Sequence, residues 1–65
     1  MKYYLHKPSE QFDFGVVIRK VDSEGNIYSY VDGKWWNSGS VPKESFYEDY
    51  REMSKAEVVK WMLKQ

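Results

Sequence analysis

The side chains able to do chemistry are few. There is one histidine, His6, and no cysteine. A carboxylate group, Glu48, Asp49 and Glu52, could hold a cation or trade a proton, but the solvated edge of a sheet calls for the same residues. Ser38 and Ser40 flank Gly39 without the strand-to-helix context of a nucleophile elbow. His6 has no recognisable serine or aspartate arrangement around it. Gly33 and Gly39 do not form a phosphate-cradling loop. A thiolate metal site is unavailable, and one histidine with carboxylates rarely makes a structural zinc centre. The expectation is therefore no enzyme, no metal and no cofactor.

What remains is aromatic. Three Trp, six Tyr and three Phe stand among 65 residues, and four of these rings fall between Ile27 and Trp36. Asp32-Gly33 separates Ile27–Val31 from Lys34-Trp35-Trp36. Asp-Gly between β-rich runs predicts a two-residue type I′ hairpin, which needs positive φ at both turn positions. Alternation sends Trp35 and Trp36 to opposite faces. One helix can cover only one face, so one indole is expected outside, with Tyr28 or Tyr30 beside it. Exposed Trp and Tyr amid mixed charge have the composition of a contact hot spot. The candidate partner-binding residues are Trp35, Trp36, Tyr28, Tyr30, Arg19 and Lys34.

A protein partner fits that composition best. Single-stranded nucleic acid is the alternative, with the rings for stacking and Arg19, Lys20 and Lys34 for phosphate. Ten basic and ten acidic residues give the chain no net field toward polyanions. Sugar stacking is a third option, since Asp32-Gly33-Lys34-Trp35-Trp36 resembles the hairpins of choline-binding repeats, here only once. No stretch has the length of a membrane span or the character of a signal h-region, so a cytoplasmic protein is expected. A homodimer would let the rings serve both as core and as contact.

The elements that must position these rings form a single domain over residues 1–65, near the lower size limit for independent folding. Lys2–His6 reads as a strand and Lys7–Asp13, with Pro8, as a connection. Phe14–Asp22 reads as the best strand, with Phe14, Val16, Ile18 and Lys20 on one face and Gly15, Val17, Arg19 and Val21 on the other. Ser23–Asn26 is a turn. The fourth strand begins at Lys34 and is broken by Asn37–Ser40, and Val41–Ser45 is a loop. Phe46–Met53 fits either period, and a helix start after it tips it toward a strand. That start is Ser54-Lys55-Ala56-Glu57, a capping box. In the helix, Ala56, Val58, Val59, Met62 and Leu63 form the apolar stripe, with Trp61 at its edge. The expected fold is α+β: a twisted antiparallel meander of four to five strands with one C-terminal helix on one face.

A resemblance covers more of the chain. Lys2-Tyr3-Tyr4, then Asp32-Gly33-Lys34-Trp35, then Tyr50-Arg51-Glu52-Met53-Ser54-Lys55-Ala56-Glu57 resemble small uncharacterised proteins of Gram-positive bacteria and their phages. The resemblance implies a free-standing cytoplasmic protein that binds and modulates a host or phage macromolecule, such as a phage-encoded inhibitor of a host system. It carries no catalytic residue.

Overall fold

Five strands form one antiparallel sheet in the computed structural model, which describes residues 1–11, 15–40 and 42–63. In chain order the elements are β1 (Lys2–His6), α1 (Lys7–Gln11), β2 (Ile18–Val21), β3 (Asn26–Val31), β4 (Lys34–Ser40), α2 (Glu44–Asp49), β5 (Tyr50–Met53) and α3 (Lys55–Met62). The sheet order is β4-β3-β2-β1-β5. The first four strands are a meander, and β5 returns to the far edge beside β1. The fold is a small α+β domain.

Local chemistry accounts for the turns. Asp32 and Gly33 have φ of 51° and 79°, the positive pair a type I′ turn requires. At the β2–β3 connection, Asp22 organises the loop: Oδ1 accepts from the amides of Glu24 and Asn26, and Oδ2 accepts from Asn26 Nδ2 and the Tyr28 hydroxyl. Strand β4 runs on through Asn37–Ser40, where a break is expected, because a bulge absorbs the extra residue Ser38: Tyr28 pairs with Asn37 and Ile27 with Gly39.

The sheet separates two layers. On one face Leu5 and Ile18, both 0% exposed, join Met53 and Val58 of α3 in the main core. Tyr3, Tyr30, Trp35, Trp61 and Met62 pack against this cluster. Trp61 therefore lies down over the sheet. Val59 and Leu63, expected in the buried stripe, are 49% and 82% exposed, so the stripe runs through Val58, Trp61 and Met62 instead. Ser54 caps α3 as its spacing predicts, accepting from the Glu57 amide at 3.2 Å.

On the other face the buried Tyr4 ring meets Phe46 and Tyr47 of α2 edge-on, and Phe46 stacks on Tyr50 at 4.3 Å. The segment expected as one strand over Phe46–Met53 is thus divided. Its first part coils so that Phe46 and Tyr47 can cover Tyr4, and its second pairs with β1. Lys7 Nζ donates to the Glu48 carbonyl at 3.0 Å and so satisfies the C-terminal end of α2.

The connection expected over Lys7–Asp13 begins with the short helix α1. Pro8 is compatible with a first helical turn, where its missing N–H is not needed. His6 Nδ1 accepts from the Ser9 amide at 3.3 Å, in the manner of an N-cap side chain. In the expected strand Phe14–Asp22, regular pairing covers Ile18–Val21. Within it Ile18 and Lys20 share one face and Arg19 and Val21 the other, as alternation requires. Phe12, Asp13 and Phe14 lie outside the described residues.

Candidate aromatic contact surface

The two-residue turn fixes where each ring goes. Val31 pairs with Lys34, Tyr30 with Trp35 and Ser29 with Trp36. Tyr28, Tyr30 and Trp35 therefore share the α3 face, and Trp36 stands alone among the hairpin rings on the α2 face. The tyrosine neighbour expected for the exposed indole is absent from that face. The register imposed by a two-residue turn was the signal that places both tyrosines with Trp35.

Trp35 is half-buried and tied into the core, with its ring 5.1 Å from Tyr30 and 6.2 Å from Tyr3. Lys20 Nζ lies 4.4 Å from the Trp35 ring centroid and 5.5 Å from that of Tyr28. The lysine thus holds this half-wet end of the core through cation–π attraction. It faces away from the Trp36 surface.

Trp36 is 57% exposed. Its Nε1 donates to the Val31 carbonyl at 3.4 Å, so the indole leans toward the turn. Val31, 49% exposed, and Lys34 share its face. The α2 rings cover Tyr4, three strands away, so the β3–β4 end of this face stays open. Arg19 belongs to the same cross-strand row as Ser29 and Trp36. Its guanidinium carbon lies 5.5 Å from the Tyr50 ring centroid, toward the covered end, and its Nε is buried without a hydrogen-bond partner among the described residues. The six candidate residues are thus split: Trp36, Lys34 and Arg19 on one face, Trp35, Tyr28 and Tyr30 on the other.

Of the titratable candidates, His6 caps α1 through Nδ1, and Glu48 and Asp49 lie exposed in the last turn of α2. The Ser9 hydroxyl, close to His6, donates to the His6 carbonyl at 2.7 Å and accepts from the Val17 amide at 3.0 Å. Glu52 faces Lys2 at 3.7 Å on the surface. No group of three or more metal-ligating side chains occurs among the described residues. Arg51 Nη2 contacts Glu10 at 2.6 Å and Glu57 at 2.5 Å, joining α1, β5 and α3. Its hydrogen bond to Glu57 holds that carboxyl below the usual range. The hydrogen bonds from Asn26 do the same for Asp22, and Asp22 in turn pushes the Tyr28 phenol up.

An open cleft of about 560 Å³ lies at the opposite end of the α2 face, lined by Lys2, Tyr4, Val21, Asp22, Pro42 and Tyr47 among others. It does not include the hairpin rings. No helix among the described residues is long and apolar enough to cross a membrane. No family model, curated protein or solved structure matches the chain.

Proposed function

We propose that the protein is a non-enzymatic binding module that engages a protein partner through the Trp36 end of its sheet. The observation that carries this reading is the 57% exposure of Trp36 beside Val31, itself 49% exposed, on the half of the face that α2 leaves uncovered. A Trp offers a flat apolar anchor with little rotamer entropy to lose, the character of an interface hot spot, and Val31 extends the apolar area beside it. The resemblance to small proteins of Gram-positive bacteria and phages makes a modulator of a host system, of the phage-encoded inhibitor type, the specific form of the proposal.

Single-stranded nucleic acid is the second reading, favoured by Lys34 and Arg19 on the face of Trp36. Arg19 weakens it, because its guanidinium lies over Tyr50 rather than beside the indole. Tagged wild-type and Trp36→Ala proteins, incubated with a Gram-positive lysate with and without nuclease, separate the readings. A discrete protein retained after nuclease by the wild type, and reduced at least tenfold by the variant at equal melting temperature, is the expected result. Capture abolished by nuclease or by salt transfers the reading to nucleic acid. Equal capture by both proteins removes Trp36 from the site.

A further inference from the structure

We infer that the free edge of β4 pairs with the same edge of a second copy, in the register that sets Trp36 against Trp36 of that copy. The inference rests on the open sheet edge and takes Trp36 as its centre.

Among the described residues, strand β4 lies at the end of the sheet and pairs only with β3. In a two-residue hairpin the flanking pair, here Val31 and Lys34, is hydrogen-bonded, and pairs alternate from there. Ser29–Trp36 is then hydrogen-bonded as well, and Trp35 and Asn37 turn their main-chain N–H and C=O outward. Such an outward row is a template for another strand. Natural edges are blunted by charges, prolines and bulges. Between the turn and Ser40, β4 has no proline and a single charge, Lys34, at its first position. The bulge at Ser38 ends the regular stretch.

The open stretch Trp35–Asn37 is complementary to itself. Laid antiparallel about a two-fold axis at Trp36, Trp35 of each copy exchanges main-chain bonds with Asn37 of the other, about four bonds in all. Trp36 then faces its own counterpart in a non-hydrogen-bonded pair, where Cα atoms approach to about 4.5 Å and facing rings interact best. Lys34 falls opposite Ser38, a neutral residue whose hydroxyl bridges Ser29 Oγ and the Ile27 carbonyl, so no like charges face each other. The chain's zero net charge removes the long-range repulsion that keeps copies apart. The opposite edge, β5, carries Arg51 and Glu52 and is only four residues long. A closed pair, not an open fibre, is the expected outcome. The product is a sheet of ten strands with two Trp36 rings side by side on one face.

Because the chain has no cysteine, single-cysteine variants read the register directly. Trp36→Cys should oxidise to a disulfide-linked dimer, since directly opposed non-hydrogen-bonded positions meet disulfide geometry. Lys34→Cys and Ser38→Cys should each stay monomeric on oxidation, while an equimolar mixture of the two should form the mixed disulfide. Sedimentation of the unmodified protein should give twice 7.8 kDa, and Asn37→Pro, which removes an outward N–H without an internal ladder bond, should halve that mass with the fold retained. A wild-type monomer up to millimolar concentration overturns the inference, leaving the edge to a foreign strand. Cross-linking of equal extent at all three single positions overturns the register. A monomer whose lysate capture still depends on Trp36 would fail this inference and leave the binding proposal standing, so the two are separable.

Discussion

Trp35 and Trp36 are neighbours in the chain and opposites in the structure. The Trp35 ring sits 5.1 Å from Tyr30 against the α3 core, whereas Trp36 is 57% exposed on the other face. The strand's period of two puts one indole to packing and frees the other for contact.

Alanine substitution should therefore separate the two. Trp35→Ala removes a half-buried ring packed on Tyr3, Tyr30 and Lys20, and should cost about 2–3 kcal/mol, somewhat below the range for fully buried aromatics. In a domain of this size that corresponds to a melting temperature lower by about 10–20 °C. Trp36→Ala should change stability by under about 1 kcal/mol in dilute solution, while reducing partner capture and dimer mass. Thermal melts by circular dichroism decide the matter. Equal, large losses in both variants would mean that the hairpin is core on both faces.

The β2–β3 loop should answer to acid through Asp22. Its carboxylate accepts four hydrogen bonds, and those from Asn26 hold its folded pKa below the ordinary value. With the folded value below the unfolded one, the contribution is full above about pH 4 and disappears as pH falls through the folded value. Asp22→Ala should lower the melting temperature at pH 7, and the gap to wild type should close toward pH 2. The Tyr28 phenol, donating to the same carboxylate, should ionise later than an ordinary tyrosine in an absorbance titration, and earlier in the variant than in the wild type.

Ser9 should be worth more than its size suggests. Its buried hydroxyl joins the His6 carbonyl to the Val17 amide. Ser9→Ala would strand a backbone N–H in a partly buried place, costing about 1–3 kcal/mol. Denaturant unfolding gives the magnitude. Faster hydrogen exchange at the Val17 amide, with Leu5 and Ile18 still protected, would locate the loss.

What was legible in the sequence is what local chemistry dictates. Asp32-Gly33 strongly favours the two-residue type I′ hairpin, and Ser54 with Glu57 marks a helix start wherever the segment lies. The meander and the opposite facing of Trp35 and Trp36 follow from these and from alternation. Helix α2 was not legible because its stability is tertiary: Phe46 and Tyr47 are helical in order to cover Tyr4, and Lys7 reaches its last turn from the end of the adjacent strand β1. Pro8 signals a break equally well whether it precedes a coil or sits in a first turn, so α1 depended on the His6 cap. At the candidate surface, which indole is exposed depends on which face α3 takes. The placing of Tyr28 and Tyr30 with Trp35 was already contained in the turn length.

Arg51 gives a test of how the two flanking helices are held. A single nitrogen, Nη2, bridges Glu10 of α1 and Glu57 of α3 from its place on β5. All three side chains are about one-third exposed, so water and salt screen the pair and its worth is at most about 1 kcal/mol. Arg51→Gln should lower the melting temperature by up to about 5 °C at low salt, and 1 M NaCl should erase most of that difference. Acid should erase it too, because Glu57, held below the usual carboxylate range by its hydrogen bond to Arg51, contributes stability above that range and loses it on protonation. The two responses belong together if charge is the cause. A deficit unchanged by both salt and acid would instead assign the role to the aliphatic stem of Arg51, shielding the edge of the core between α1 and α3.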